Sequence, residues 1–323
     1  PNGEKHKRMK TKIFDINNIV RENVKGLSPY SSARDEYVSD GSKMVFLDAN
    51  ENPFETGVNR YPDPHQRRLK EVLAEKKGVS SQQLLLGNGS DEVLDLIFRA
   101  FCEPNVPEIL RVADDRSKLL FLCSPNNPTG NSFSNSSVRE LLNNFNGLVV
   151  VDEAYIDFSS EKSWITELSN YPNLVVTQTL SKAYGMAGIR LGTCYASEEI
   201  ISVLNKIKPP YNVNELTQQR ALERVLDTNA VNLEVSDILR EREALVNALG
   251  KVDFVEKIYP SDANFVLAKV DDATKRYNQL LKKGIVVRNR TTQPLCENTL
   301  RFTVGTKEEN KILISALQNI TTI

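Results

Sequence analysis

The sequence predicts an α/β protein in which a large domain holds a mixed, mostly parallel sheet and a smaller C-terminal domain is α+β. From about residue 80, short aliphatic runs alternate with amphipathic helices, the pattern of a layered α/β sheet. A long helical stretch then covers about 213–249, and the strand-like runs and helices after it predict a compact α+β unit. The change places a domain boundary near 215–225. We expect an N-terminal arm at 1–44, a large domain at 45–218 and a small domain at 219–323.

Five aliphatic runs predict the strands of the large domain. They are LLLG at 84–87, KLLFLC at 118–123, LVVVD at 148–152, NLVVTQTL at 173–180 and RLGTCYA at 190–196. The segment between the first two predicts two consecutive helices, although a complete βαβ unit needs about 30 residues. We therefore expect that a strand and its loops are missing from the printed sequence around Asn105 and Val106, and that the molecule contains this segment.

The small domain begins after the long helical stretch with the strand-like run NFVLAKV at 264–270. A helix that ends at Gly284 follows, and then the runs IVVRNR at 285–290 and TLRFTVG at 299–305. Thr306 and Glu309 have the T-x-x-E spacing of a capping box, which predicts the start of a last helix.

Composition excludes several classes of function. The chain has 41 Lys and Arg against 42 Asp and Glu, so it shows no charge excess for nucleic acid or an anionic membrane. Its apolar runs are far shorter than the roughly 20 residues of a membrane span. The only histidines are His6 and His65, so a Ser-His-Asp triad or a histidine-based zinc site would depend almost entirely on His65.

The cysteines and the N-terminal residues indicate the cellular compartment of the protein. The four cysteines are widely spaced without a Cys-x-x-Cys pair, which is typical of reduced, buried thiols in a cytoplasmic protein. Residues 1–8 are polar and basic and lack the apolar stretch of a secretory signal. We expect that Met9 is the natural start and that the residues before it are foreign to the natural protein.

Polar residues follow the predicted strands at the edge where open α/β sheets bind ligands. Asp152 ends one buried strand, with Tyr155 close behind it, and such an acid is costly unless it is paired with a cation or caps a helix. Lys182 lies in a loop of small residues, after Ser181 and before Arg190, although most lysines are solvated surface charges. GNGSDE, at a strand-to-helix junction, can bind phosphate through backbone N–H groups, but it lacks the third glycine of a dinucleotide motif.

The order GNGSDE, PNNPTG, DEAY, TLSKAYGMAGIRLG and LRFTVG resembles the fold-type I aminotransferases that use pyridoxal 5′-phosphate (PLP). The resemblance runs from about residue 28 to the C-terminus. Four further segments narrow the resemblance to the histidinol-phosphate aminotransferase family. They are LSPY at 27–30, LDANENPF at 47–54, NRYPDP at 59–64 and KPPYNVN at 208–214. That family exchanges an amino group between glutamate and imidazole-acetol phosphate in histidine biosynthesis. The resemblance therefore implies PLP as cofactor and glutamate and histidinol phosphate as small-molecule substrates.

The resemblance also implies roles for individual residues around the cofactor. Lys182 matches the lysine that forms a Schiff base with PLP and then moves the proton, which requires a lowered pKa. Asp152 matches the aspartate that keeps the pyridine nitrogen protonated, so that the ring acts as an electron sink. Asn127 and Tyr155 match the donors to the phenolic oxygen of the ring. The phosphate cup corresponds to the backbone amides of Ser90 and Asp91 with Thr179, Ser181 and Arg190.

On the substrate side, Arg301 matches the arginine that holds the α-carboxylate of the amino donor, and a guanidinium also accepts a phosphate ester. Arg288 and Tyr30 resemble further substrate-binding groups, with Asn50 near them; a strand-edge charge and a packed aromatic are the alternatives. Tyr61 resembles the tyrosine that reaches the cofactor of the neighbouring subunit, which implies a homodimer. The sequence lacks the aromatic residue that stacks on the PLP ring in this family, in the same region as the missing strand.

Several alternative functions stay open. An aromatic amino acid aminotransferase would need an apolar substrate pocket, which Arg288 and Tyr30 disfavour. A threonine-phosphate decarboxylase would need a site that holds a carboxylate and a phosphate together. A catalytically silent relative is distinguished by loss of the lysine at position 182, which is present here. A nicotinamide-dependent dehydrogenase is disfavoured by the incomplete glycine motif.

Overall fold

The computed structural model describes residues 14–29, 61–102 and 117–320. Its helices are α1 (Glu22–Lys25), α2 (Arg67–Lys77), α3 (Gly89–Phe101), α4 (Asn135–Asn144), α5 (Glu198–Asn205), α6 (Glu215–Leu226), α7 (Thr228–Leu249), α8 (Ala273–Lys282) and α9 (Lys307–Gln318). Its strands are β1 (Leu84–Asn88), β2 (Leu119–Cys123), β3 (Leu148–Asp152), β4 (Leu174–Thr179), β5 (Leu191–Tyr195), β6 (Val255–Ile258), β7 (Phe265–Val270), β8 (Arg288–Asn289) and β9 (Thr299–Thr303). The expected gap near Asn105 and Val106 lies outside the described residues.

The first sheet has the strand order β1-β5-β4-β3-β2. Strands β2, β3 and β4 pair in parallel, whereas β5 is antiparallel to both of its neighbours, β4 and β1. Four strands therefore run in one direction and β5 runs against them. This arrangement confirms the mixed, mostly parallel sheet and all five strands that the sequence predicts for it.

Aliphatic residues explain why these segments form the centre of the sheet. All six residues of β4 are buried, as are the first four of β3, because helices and loops cover both faces of the sheet. Helix α3 buries Val93, Leu96, Ile97, Ala100 and Phe101, which recur at helical spacing and pack against one face of the sheet. The carboxyl ends of β2, β3 and β4 consequently meet at one edge of a rigid layer.

The second sheet is antiparallel, with the order β6-β7-β9-β8. Val266, Ala268, Leu300 and Phe302 on β7 and β9 are buried in a core that α7, α8 and α9 complete. The capping box at the start of α9 is confirmed, since the Thr306 side chain accepts from the backbone of Glu309 while the Glu309 carboxylate accepts from the backbone of Thr306. Strand β6 was not predicted, because its sequence, VEKI, has two exposed charged residues in the middle.

The long helical stretch is divided into α6 and α7 at Asp227. The side chain of Asp227 accepts from the backbone N–H of Ala230 at 3.3 Å and so caps the first turn of α7. Among the described residues, no helix is both long and apolar enough to cross a membrane.

A short polar seam joins the two sheets near the PNNPTG turn. The backbone N–H of Asp262 donates to the carbonyl of Gly130 at 2.7 Å, and the Ser132 hydroxyl donates to the Asp262 carboxylate at 2.8 Å. Gly130 has φ of 82°, and a Cβ there would lie 2.6 Å from the Ser261 hydroxyl. Only glycine fits this close approach. The seam fixes the turn that follows β2 against the second sheet.

Candidate active site

Asp152 ends β3 at the centre of the polar edge, flanked by neighbours from both adjoining strands. The strand register pairs it with Cys123 on β2 and with Thr177 on β4. The Thr177 hydroxyl donates to Asp152 Oδ1 at 3.1 Å, and the Cys123 thiol lies 3.8 Å from Oδ2. Burial raises the pKa of Asp152, while the Thr177 hydroxyl, the backbone N–H of Ala154 and the more distant Lys182 ammonium act in the opposite direction.

Neither of the two structural explanations for a buried acid applies to Asp152. No lysine or arginine among the described residues forms an ion pair with it, and it does not cap a helix. Its carboxylate is instead held by hydrogen bonds on one side and faces the loop that carries Lys182 on the other. A buried carboxylate without a directly bonded cation suits a cationic group supplied by a ligand.

Lys182 follows β4 in the loop of small residues that the sequence predicts. Its Nζ lies 5.6 Å from the centroid of the Tyr155 ring. The Tyr155 ring in turn packs edge-on against Phe265 of β7, with centroids 5.3 Å apart. The lysine therefore shares one cleft with Asp152 and Tyr155, between the first sheet and the second.

Asn127 connects the two sides of this cleft. Its Nδ2 donates to the Tyr155 hydroxyl at 3.4 Å, and its Oδ1 accepts from Arg301 Nη1 at 2.5 Å and from Arg290 Nη2 at 3.5 Å. The Tyr155 pKa is raised by burial. The amide and the hydroxyl are consequently neighbouring neutral donors, the chemistry that a phenolic oxygen requires.

The cup predicted for the cofactor phosphate forms where β1 enters α3. Gly89 has φ of 72°, and its N–H donates to the carbonyl of Arg190 at 2.8 Å. Arg190 Nη2 lies 3.1 Å from the Asp91 carboxylate, but both side chains are largely exposed, so this ion pair contributes little to stability. A Cβ on Gly89 would lie 2.7 Å from Arg190 Nη2, so the glycine allows the guanidinium to lie directly over the start of the helix.

The other wall of the cup is the turn after β4. The Thr179 hydroxyl accepts from the backbone N–H of Ser181 at 3.1 Å and lies 3.0 Å from the Ser181 hydroxyl. A Cβ on Gly192 of β5 would lie 2.3 Å from the backbone nitrogen of Ser90. The absence of side chains at these glycines leaves a cradle of N–H groups, hydroxyls and one guanidinium, which fits a phosphate dianion.

Arg301 lies on β9, directly opposite Arg288 on β8. Its guanidinium lies 5.0 Å from the centroid of the Phe265 ring, and its Nε is buried with no hydrogen-bond partner among the described residues. Burial lowers the pKa of Arg301, and the nearby charges of Arg290 and Arg288 lower it further. The structure therefore brings Arg288 and Arg301 together, as an anion site requires, and adds Arg290.

Three predicted residues remain, of which one lies within the described ranges and two lie beyond them. Tyr61 is 52% exposed and stacks on Tyr211, with ring centroids 4.7 Å apart. Tyr30 and Asn50 fall outside the described residues.

Sequence reasoning missed Arg290 and the hydrogen-bond partners of Asp152, which are Cys123 and Thr177. All three become evident only from strand register. Cys123 and Thr177 end the strands on either side of Asp152, and Arg290 follows Arg288 at the alternate position of an extended segment.

Comparisons with known proteins identify the family of this chain. A model of the family described as aminotransferase class I and II matches residues 105–317. A histidinol-phosphate aminotransferase of Flavobacterium johnsoniae is 61% identical over 343 aligned positions, covering 94% of this chain and 98% of that protein. Another from Parabacteroides distasonis is 49% identical and covers 95% of this chain and 99% of that protein.

The crystal structure of histidinol-phosphate aminotransferase from Sinorhizobium meliloti in complex with pyridoxal-5′-phosphate superposes with a TM-score of 0.72 at 23% identity. It covers 80% of this chain and 82% of that one, and it shows the shared fold. The F. johnsoniae alignment has more positions, 343, than the 323 residues of this chain, so that relative carries residues without a counterpart in the printed sequence.

The family-model match, together with the mixed sheet, identifies the chain as an aminotransferase of class I and II, a PLP-dependent enzyme. Within that class, the chain belongs to the histidinol-phosphate aminotransferase family.

We expect Gly192→Ala to destabilise the protein and weaken its phosphate cradle. The added Cβ would lie 2.3 Å from the backbone nitrogen of Ser90, which cannot move without displacing the start of α3. Overpacking of this kind costs about 1–3 kcal/mol. Chemical denaturation and the dissociation constant of PLP measure the two effects. The control is Gly188→Ala, because an added Cβ there meets nothing within 4 Å; equal behaviour of the two variants would contradict the cradle geometry.

Asp152→Asn is expected to change the pH dependence of stability, apart from its effect on turnover. Because burial raises the pKa of Asp152 above its ordinary value of 3.8, the folded chain binds the proton more tightly than the unfolded chain. Lowering the pH should therefore increase the free energy of unfolding of the cofactor-free wild type relative to the variant, with the difference levelling off below about 3.8. Denaturation curves between about pH 7 and about pH 4 measure this trend. A flat difference would show that the carboxylate is not penalised by burial.

The matched control for Asp152→Asn is Glu153→Gln, at the next carboxylate along the chain. Glu153 accepts hydrogen bonds from the Ser163 hydroxyl, the Trp164 N–H and the Gln178 amide, at 2.6, 2.7 and 2.8 Å. In Glu153→Gln, the new amide NH2 would face one of these hydrogen-bond donors, so a hydrogen bond would be replaced by a contact between two donors. The free energy of unfolding should therefore fall by about 1–3 kcal/mol. It should still bind PLP and turn over normally per folded molecule, whereas Asp152→Asn should lose turnover by several orders of magnitude.

Proposed function

We propose that the cleft transfers an amino group between glutamate and imidazole-acetol phosphate, with histidinol phosphate as the other amino donor. The observation that carries this proposal is the convergence in one cleft of Lys182, Asp152 and the Asn127–Tyr155 pair. Arginines that form no ion pair with a described carboxylate border this cleft. Such a set of groups suits a phosphorylated cofactor and an anionic substrate side by side.

When bound, PLP supplies a conjugated, electron-withdrawing ring that stabilises negative charge on the substrate carbon. Asp152 would hold the proton at the pyridine nitrogen, and its burial strengthens that attraction because little water competes. Asn127 and Tyr155 would donate to the phenolic oxygen. The cradle around Gly89, with Arg190, would hold the phosphate.

Lys182 is the nucleophilic amine of the site and the group that moves the proton at the substrate carbon. It lies at the end of a loop held by the Thr179–Ser181 turn, so its amine can reach the cleft from one side. The Tyr155 ring beside it limits the directions in which the Nζ can lie. This restriction favours proton transfer on one face of the substrate.

The anion site decides between the alternative substrates. Arg301 can hold a carboxylate or a phosphate ester in a bidentate fork, which explains how one site serves both half-reactions. Arg288, opposite it in the strand register, adds a second positive charge and disfavours a plain aromatic substrate. The curated relatives at 44–61% identity carry the histidinol-phosphate aminotransferase name, which supports this substrate over aromatic amino acids or a decarboxylation substrate.

The assembly is part of the proposal. Tyr61 is half-exposed and stacks on Tyr211, so part of its side chain lies on the protein surface. We assign it to the cofactor phosphate of the neighbouring subunit in a homodimer. No disulfide joins the four cysteines, Cys102, Cys123, Cys194 and Cys296, which supports a reducing, cytoplasmic location.

The function is tested by a single-turnover experiment on PLP-loaded protein. Histidinol phosphate should rapidly change the visible absorbance of the bound cofactor, whereas phenylalanine should do so slowly. Lys182→Ala should abolish turnover with both substrates while the melting temperature stays within a few degrees, because the side chain is only partly buried. Faster conversion of phenylalanine would assign the protein to aromatic substrates, and normal turnover by Lys182→Ala would remove the proposed mechanism.

The contribution of Tyr61 is tested by mixing two variants, the inactive Lys182→Ala and the impaired Tyr61→Phe. If Tyr61 acts across the dimer, each mixed dimer contains one site with an intact lysine and an intact tyrosine. Activity should then rise after subunit exchange, well above the sum of the separate variants. Unchanged activity in mixtures shown to contain mixed dimers would place Tyr61 in its own subunit's site or outside catalysis.

A further inference from the structure

Arg290 is a third arginine at the anion site, and the function described above does not use it. Its backbone N–H donates to the carbonyl of Thr299 at 2.9 Å, which extends the β8–β9 pairing one residue beyond Asn289. Because alternate residues of an extended strand point to the same face, Arg290 shares a face with Arg288. Arg301 lies opposite Arg288 in the register. Three guanidinium-bearing residues therefore gather at one corner of the second sheet.

The side-chain amide of Asn127 binds two of these arginines, Arg301 and Arg290, at the edge of the cleft. Its Oδ1 accepts from Arg301 Nη1 at 2.5 Å and from Arg290 Nη2 at 3.5 Å. The Nε of each arginine is buried and has no hydrogen-bond partner among the described residues. A buried N–H without an acceptor is costly, so each guanidinium retains donor capacity that a ligand oxygen can use.

The positive charge at this corner has no counter-charge in the part of the chain that the structure describes. Arg288, Arg290 and Arg301 form no ion pair with any carboxylate there, unlike Arg276, which is paired with Asp271 at 2.5 Å. Like charges gathered without a partner repel one another, and the repulsion is relieved by a bound anion. A phosphate monoester carries close to two negative charges and three acceptor oxygens at neutral pH, whereas a carboxylate carries one charge and two oxygens.

We propose that Arg290 is a specificity-determining residue that favours a phosphomonoester over a carboxylate at the anion site that Arg301 serves. This inference rests on the proposed function and deepens it. Arg301 serves both classes of anion, whereas Arg290 adds the donor and the charge that only the more highly charged ligand uses fully. Since Arg290 shares the Asn127 oxygen at the longer distance, a substrate phosphate can recruit it without breaking the Arg301 contact.

The test compares the PLP-loaded wild type with Arg290→Gln and Arg290→Lys in single-turnover reactions with each amino donor. Arg290→Gln should raise the half-saturating concentration of histidinol phosphate by about tenfold to a hundredfold, the usual effect of losing one hydrogen bond to a charged group. The value for glutamate should change by less than about threefold, the effect expected for a weak, screened interaction. Arg290→Lys should recover part of the loss, because it keeps the charge but not the planar fork.

Two controls keep this test specific to Arg290. Arg240→Gln removes the same charge from α7, where the side chain is 75% exposed beside Asp237, and should leave both half-saturating concentrations unchanged. Calorimetric titration of the holoenzymes with inorganic phosphate should show weaker binding to Arg290→Gln than to wild type or Arg240→Gln. Melting temperatures establish that each variant is folded, and if Arg290→Gln is not, Arg290→Lys carries the comparison.

The outcomes separate this inference from the function on which it rests. If the wild type does not react with histidinol phosphate, the proposed function fails, and phosphate titration alone then decides whether Arg290 binds the anion. If the wild type reacts but Arg290→Gln retains its preference for histidinol phosphate over glutamate, the role of Arg290 is overturned and the proposed function stands. Equal losses with both donors would also overturn it, since they would show a general structural effect.

Discussion

The Asp152 carboxylate is the constraint on which the rest of the site depends. It stands at the end of a buried strand, held by a threonine hydroxyl, a backbone N–H and a thiol rather than by a directly bonded cation. These neutral donors offset only part of the cost of removing a charge from water. Burial of this carboxylate therefore destabilises the folded chain. A protonated ring nitrogen would relieve that penalty on binding, which would increase the affinity for the cofactor.

Three parallel strand ends make this arrangement possible. Because Cys123, Asp152 and Thr177 occupy the same level of β2, β3 and β4, the donors and the carboxylate are positioned by the backbone hydrogen-bond ladder rather than by flexible loops. The antiparallel strand β5 then brings Gly192 against the start of α3. One rigid layer thus fixes both the carboxylate that we assign to the ring nitrogen and the cradle that we assign to the phosphate.

The sequence predicted the parts of this arrangement that local patterns encode. Aliphatic runs predicted every strand of the first sheet, and the T-x-x-E spacing predicted the cap of α9. Strand β6 was missed because its exposed glutamate and lysine hide the alternation, and the break between α6 and α7 was missed because one aspartate cap makes it. The partners of Asp152 and the position of Arg290 depend on which strands pair, and no local pattern contains that information. Motif resemblance supplied the identity of Lys182, which composition alone could not distinguish from a surface lysine.

The two ends of the cleft carry opposite charges, and Asn127 lies between the arginines and Tyr155. Within the described ranges, a buried carboxylate at one end has no bonded cation, and a group of arginines at the other end has no carboxylate partner. If the arginines and Asp152 were in direct contact, each would neutralise the other and neither would attract a ligand. The Asn127 oxygen accepts from the arginines, and its nitrogen donates to the Tyr155 hydroxyl. The cleft therefore has an anion-attracting end beside Asn127 and a cation-attracting end at Asp152, which is the charge pattern of a protonated pyridine ring joined to an anionic amino donor.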